Sequence, residues 1–285
     1  MKDALHSDVR TTYFPDRNLQ LGHRIWGEMF GELWRSRSLI WRLFYRDFSA
    51  KYRQTLFGFA WAVMLPLVTT SFFVFLARAR VVNLGETGIP YPLFALIGVS
   101  IWQSFVGGLL AAANSLVAAA SLLGKINFPR ETLVISAVGQ AVFDALIKAG
   151  LIVVAMAWYR VVPGWGILLV PVIALPLLMM CLGLGLVLSL VQGVMRDIDK
   201  VIALLMALGL LLTPAAYPPP AAWPHSLVNI LNPVSPFIIA MRDLATGVPL
   251  TNGPELAAAS LFGFLALALG WRVFHLVEPK IAERL

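Results

Sequence analysis

The sequence predicts an all-α polytopic membrane protein with six transmembrane helices, an amphipathic interfacial helix before the first span and re-entrant or interfacial pieces between spans five and six. Three observations carry that prediction. The 285 residues are 59% hydrophobic and 13% charged, with mean hydropathy +0.79, whereas an ordinary soluble domain is about 25% charged. Between Leu56 and Leu276, several uncharged runs exceed the roughly 18 apolar residues that mark a transmembrane helix. Near the end of that region, prolines crowd a stretch that cannot be one continuous helix.

In chain order, residues 1–56 are polar and charge-rich, and 57–77 (FGFAWAVMLPLVTTSFFVFLA) carry no charge and form the first expected span. The uncharged stretch from Thr87 to Gly124 is too long for one crossing at ~1.5 Å per residue through a core of about 30 Å, so span two is placed at 92–114. Span three is expected over 132–158 and span four over 167–191. The polar patch QGVMRDIDK (192–200) follows, and span five begins at Val201. Seven prolines between Thr213 and Pro236 mark the re-entrant pieces, span six covers 255–274, and 277–285 form a tail. The expected division is thus an N-terminal region over 1–56, a transmembrane domain over 57–276 and the tail.

Lysine and arginine place these parts relative to the membrane. With six spans, both termini share a face that carries seventeen Lys and Arg against four on the other, Lys148 set aside inside a span. The richer face is expected to be cytoplasmic. The start lacks the short apolar core and cleavage site of a signal peptide, so span one is expected to stay as an anchor. Before it, at ~100° per residue, Trp41, Phe44, Phe48 and Tyr52 form one stripe and Arg35, Arg42, Arg46 and Arg53 another. Residues 39–55 are therefore expected to lie in the inner headgroup layer, arginines against anionic lipid. Basic loops of this kind also account for a net charge of +7 without invoking nucleic acid.

Several kinds of chemistry find no support. A lone cysteine, Cys181, gives no disulfide framework, and His6, His23, His225 and His275 lack the spacing of a helical metal site. No metal is expected. Intramembrane carboxylates are nearly absent, which disfavours a proton relay. No nucleophile with a positioned base is visible, so no catalytic residue is assigned.

Four segments together resemble a known family. RDFSAKYRQTLFGFAWAVMLPL (46–67), KINFPRE (125–131), RDI (196–198) and LNPVSPFIIAMR (231–242) are similar, in order and spacing, to the membrane subunits of type-2 ATP-binding-cassette exporters, in the polysaccharide and lipid-linked glycan branch. The resemblance implies two copies of this chain around one path in the bacterial inner membrane, with two copies of a separate ATPase beneath. ATP and Mg would be bound there, consistent with the lack of a G-x-x-x-x-G-K-[ST] loop in this chain. It also implies that Lys125, Ile126, Asn127, Phe128, Pro129, Arg130 and Glu131 form a coupling element on the ATPase. Physically, Pro129 breaks the helix, Phe128 offers an apolar knob and the charges orient the contact at its rim; the bland reading is a solvated turn.

For a glycan cargo, Trp61, Phe72, Trp102 and Phe105 are candidate path residues, because sugar rings stack on aromatic faces; belt and packing roles explain such residues too. Arg46, Lys51 and Arg53 could meet a lipid diphosphate or simply anchor in headgroups. Asp144 and Lys148, four apart with the acid first, are expected to pair inside span three. The function expected is the permease subunit of an exporter of lipid-linked polysaccharide. An exporter of a small amphiphile and a membrane enzyme acting on lipid-linked sugars are the alternatives.

Overall fold

A computed structural model describes residues 24–53, 58–80, 87–123, 128–195, 197–219 and 231–281. Every regular element among them is helical: α1 (Arg24–Arg35), α2 (Arg37–Arg53), α3 (Ala60–Arg78), α4 (Tyr91–Ala118), α5 (Ala120–Leu123), α6 (Glu131–Trp158), a 3-10 turn at Trp165–Leu169, α7 (Val170–Val194), α8 (Ile198–Leu212), α9 (Ser235–Thr246) and α10 (Gly253–Ile281). Prolines sit in the first turns of α4, α7 and α9, where the missing N–H would have had no helical partner. Gly247 ends α9 in the left-handed region at φ 78°, and the Val248 N–H returns to the Asp243 carbonyl.

Among the described residues, five helices are long and apolar enough to cross a membrane: α3, α4 with α5, α6, the 3-10 turn with α7, and α10. The fifth expected span is the exception. It forms α8, whose 15 residues rise only about 22 Å, because Pro214 lies two residues beyond its end. The proline stretch that follows is non-helical from Thr213 to Pro219 and helical again as α9, and its residues 220–230 lie outside the described residues.

The bundle is organised around α4. It is 67% buried over its most apolar window, against at most 22% in the other four crossing helices. α6 and α7 both pack along α4, α10 packs on α7, and α3 lies at the margin of α4. The α7–α10 contact is close because glycines face it: a Cβ at Gly183 would fall on the Ala266 carbonyl, and one at Gly270 on the Gly183 carbonyl. On α7's other side, Gly185 lies against Ala112 of α4.

The helices define two ends. The basic end holds α1, α2, the α5–α6 loop, the α7–α8 turn and the close of α10. The proline end holds the starts of α4, α7 and α10, together with α9.

Candidate functional site

At the basic end, the loop into α6 is built to hold Phe128, Pro129 and Arg130 against the subunit. Thr132 donates its hydroxyl to the Pro129 carbonyl at 2.7 Å, and the Leu133 N–H reaches the Arg130 carbonyl at 3.0 Å. Phe128 is half-buried and packs on a core cluster that contains Leu116, Leu133, Leu190, Trp271 and Phe274. Arg130 Nε lies 3.5 Å from Glu278 Oε1, and its Nη1 donates to the Glu278 backbone carbonyl at 3.4 Å. Glu131 is buried, with Oε1 3.3 Å from Nδ1 of buried His275. Phe128, Arg130 and Glu131 thus turn inward onto α10 rather than standing at an outer rim. Lys125, Ile126 and Asn127 lie outside the described residues.

Helix α1 closes over the same place. Met29 is buried, and Trp26 and Phe30 meet the Trp271 ring edge-to-face, at 6.1 and 4.8 Å between centroids. Partial desolvation holds the Glu32 carboxyl above the usual carboxylate range, with His275 pulling the other way. Glu131, His275 and Glu278 bring possible ligand atoms within 4.8 Å of one another. Arg130 and the Glu131–His275 contact occupy those groups, so the cluster reads as an ion-paired knot joining the start of α6 to the close of α10.

The arginines and lysines before span one are distributed differently. Arg46 Nε pairs with the adjacent Asp47 at 2.6 Å on an exposed surface, and the side chain of Arg53 lies outside the described residues. Lys51 Nζ meets Asp144 Oδ2 at 2.5 Å. The aromatic stripe of α2 packs on α6: Phe44 stacks between Trp41 and Phe48, and Phe48 stands edge-to-face on Phe143 at 4.7 Å. That packing delivers Lys51 to Asp144. Asp144 thus has Lys51 as an ion-pair partner from outside its own helix, while buried Lys148, one turn along α6, donates to the Ser104 hydroxyl at 3.4 Å.

The four candidate path aromatics do not share a surface. Trp61 and Phe72 on α3 are 51% and 57% exposed, whereas Trp102 and Phe105 on α4 are 5% and 6% exposed. Trp102 is packed against Gly209 of α8, where a Cβ would come within 2.9 Å of its ring. Trp102 and Phe105 are core residues of the subunit, because α4 is its central helix.

At the proline end lies a residue whose structural weight the sequence did not disclose. Arg242 of α9 is 4% exposed; its Nη2 donates to the carbonyls of Pro214 and Ala215 at 3.1 and 2.7 Å, and its guanidinium lies 3.6 Å over the Phe94 ring. Proline-rich chain leaves carbonyls without helical partners, and this side chain supplies them. Gly98 makes room: a Cβ there would strike the Ala215 carbonyl and Arg242 itself. Asn232 to Thr213, Asn252 to the Pro236 carbonyl and Tyr91 to the Ala216 carbonyl complete the network. The available signal was a lone arginine at the close of the apolar run PFIIAM.

Comparison with known proteins adds to this geometry. The profile described as ABC-2 type transporter matches residues 38–245. Over 256 residues the chain is 26% identical to the O-antigen export system permease protein RfbA of Myxococcus xanthus, covering 88% of this chain and 96% of that protein. Two proteins of the same name from Klebsiella pneumoniae are 24% and 25% identical over 248 residues, 84% of this chain and 91% of each. With the profile spanning most of a polytopic helical bundle, the chain belongs to the ABC-2 type transporter family, as a multi-pass membrane subunit that works with an ABC ATPase and is not itself an enzyme.

Proposed function

We propose that this protein is the permease subunit of an ATP-driven exporter that carries a lipid-linked, O-antigen-like polysaccharide across the bacterial inner membrane. The observation that carries the reading is similarity along nearly the whole chain to three O-antigen export permeases. Two copies of the chain would enclose the path, above two copies of the ATPase that binds ATP and Mg. The basic end would face the cytoplasm, with both termini, as the excess of lysine and arginine there supports. Six crossings are supported by the course of α8: it leaves the close of α7 at the basic end, and the chain just beyond it meets Tyr91 and Gly98 of α4 at the proline end.

In this reading the element 125–131 receives the movement of the ATPase. Its inward-facing residues, Phe128, Arg130 and Glu131, pass that movement to α10, and α10 is locked to α7 by the glycine contact. Coupling of this kind is reciprocal, so bound glycan must change the nucleotide affinity of the partner. Trp61 and Phe72, on the exposed face of α3, remain for the path or for lipid, and Arg46, Lys51 and Arg53 for the entry surface.

Two measurements test the proposal. A thiol introduced at Asn127 is expected to react with a membrane-impermeant maleimide in inverted vesicles and not in intact cells. Loss of the chain is expected to trap lipid-linked glycan in the inner membrane; surface glycan at normal levels without it would reject the assigned cargo.

A further inference from the structure

Of the five crossing helices, α3 is held least by its own subunit, with 11% of its most apolar window buried. Where α2 gives way to α3 the chain turns a corner: Gly58 sits in the left-handed region at φ 48°, and Phe59 leads into the helix. Earlier in α2, Leu43 is anchored in the core, but beyond it no side chain of α2 is buried among the described residues. The corner rests on α6 through two kinds of contact. Phe48 and Phe59, the latter 48% exposed, meet Phe143 with ring centroids 4.7 and 6.1 Å away. On the next residue of α6, Asp144 Oδ2 is paired with Lys51 Nζ at 2.5 Å.

The two contacts respond differently to separation. Phenyl rings that part inside a membrane meet lipid chains instead and leave no polar group behind. A carboxylate that loses its cation within a span becomes an uncompensated charge, which is a severe cost. The ion pair, not the rings, therefore decides whether the corner can lift.

Lys148 stands one turn along α6 from Asp144, acid first and lysine second, the favourable order for an i, i+4 pair. Long side chains in a helix lean toward its N-terminus, which aims Lys148 back at Asp144. Asp144 attracts it and Lys51 repels it. It is only 7% exposed, and its bonded partner among the described residues is the Ser104 hydroxyl at 3.4 Å, a long contact for an ammonium with three donors. Lys148 also lines a cavity of about 370 Å³ between α6 and α7, where no carboxylate appears among the lining residues. The cavity gives the side chain room to change rotamer, and Asp144 is the carboxylate of α6 within one turn of it.

We propose that Asp144 is a two-way latch on the first span: Lys51 holds it while the α2–α3 corner is seated on α6, and Lys148 takes it over when the corner lifts. The carboxylate then keeps a cation in both arrangements, and α3 can move off α6 without stranding a charge. Lys51, at the end of a charged helix, is free on lifting to carry its ammonium to water and headgroups. The latch concerns the motion of the first span and not the cargo, so its failure would leave the exporter reading standing.

The test is a charge cycle on the full-length chain, read by equilibrium unfolding in mixed micelles with SDS. Lys51→Met and Lys148→Met should each lower the folded-to-unfolded ratio by less than about tenfold, because the other lysine still serves Asp144. Together they should lower it about a hundredfold or more, beyond the product of the single effects, and Asp144→Asn should recover most of that loss. Should the double variant fail to fold, the triple variant carrying Asp144→Asn must fold. Effects that simply multiply, or no recovery by Asp144→Asn, would overturn the proposal. Position gives an independent reading. In a Cys181→Ala background, nitroxides at the exposed positions Ala60→Cys and Val154→Cys report the distance from the corner to α6 by pulsed EPR in nanodiscs. Lys51→Met should raise the lifted population several-fold and Lys148→Met should lower it, whereas a merely structural pair would shift both variants the same way. Shifts of one sign, or an effect of Lys148→Met that persists once Asp144→Asn is present, would sink the latch.

Discussion

The two ends of the bundle bury charge in opposite ways. At the proline end, Arg242 answers two backbone carbonyls and an aromatic face, with no carboxylate among the described residues bonded to it. Its partners are parts of the main chain, which have nowhere else to turn. At the basic end, Arg130, Glu131, His275 and Glu278 answer one another chiefly through side-chain pairs at 3.5 and 3.3 Å, with one arginine bond to the Glu278 carbonyl beside them, between segments nearly 150 residues apart. Such contacts can be exchanged or loosened one at a time. The contrast suits a transporter driven from one side: a fixed rivet where the chain breaks its helices, and adjustable ties where a partner's movement enters.

The largest effect should come from removing the rivet. Arg242→Met leaves two carbonyls buried without donors, at about 1–3 kcal/mol each, and forfeits the contact with Phe94. We expect a loss of about 3 kcal/mol or more in resistance to thermal unfolding in detergent, with poor recovery of monodisperse protein. Arg242→Lys should restore less than half, because a compact ammonium cannot both fork between carbonyls and stack. An Arg242→Met variant as stable as the parent would erase the contrast between the ends.

The adjustable ties predict the reverse pattern, a small change in stability with a large change in coupling. Arg130→Met and Glu278→Gln should each lower stability by about 1 kcal/mol, and their double-mutant cycle should show coupling of about 0.5–1 kcal/mol. Glycan-stimulated ATP hydrolysis by the complex should fall about tenfold, within the usual 1–3 kcal/mol span of coupling energies. Exchanging the charges, Arg130→Glu with Glu278→Arg, should recover part of that stimulation. Stimulation that survives every one of these changes would leave the knot a purely structural feature.

Much of the fold could be read from the sequence, for a physical reason: a lipid-crossing helix must be long and uncharged, and both properties are local. Five of the expected spans are helices of crossing length; four lie close to their expected limits, and span two runs on to Leu122 instead of ending at 114. What could not be read was pairing. The i, i+4 spacing of Asp144 and Lys148 names a possible partner, but Lys51, 93 residues earlier in the chain, reaches Asp144 because Phe44 and Phe48 seat α2 on α6. Trp102 and Phe105 looked as available as Trp61 and Phe72 because hydropathy does not distinguish a helix surrounded by helices from one facing lipid. His275 and Glu131 lie 144 residues apart, and no periodicity connects them.

The smallest expected effect concerns α1, which the hydropathy pattern left inside an undivided polar region. Beside buried Met29, its aromatic hold on the basic end runs through Trp271, which receives Trp26 and Phe30 edge-to-face while lying in the same cluster as Phe128 and Phe274. Trp271→Leu keeps an apolar side chain there but removes the ring face, at about 0.5–1.5 kcal/mol beyond the area lost. If the basic end is adjustable, that loss should appear locally, as faster amide exchange or proteolysis within Arg24–Arg35, while the melting of the bundle shifts little. The proline end, tied through the main chain, should show unchanged exchange over Ser235–Thr246. Should Trp271→Leu instead loosen both ends together, the two knots would belong to one cooperative unit, and a partner pulling on Arg130 would be pulling on Arg242 as well.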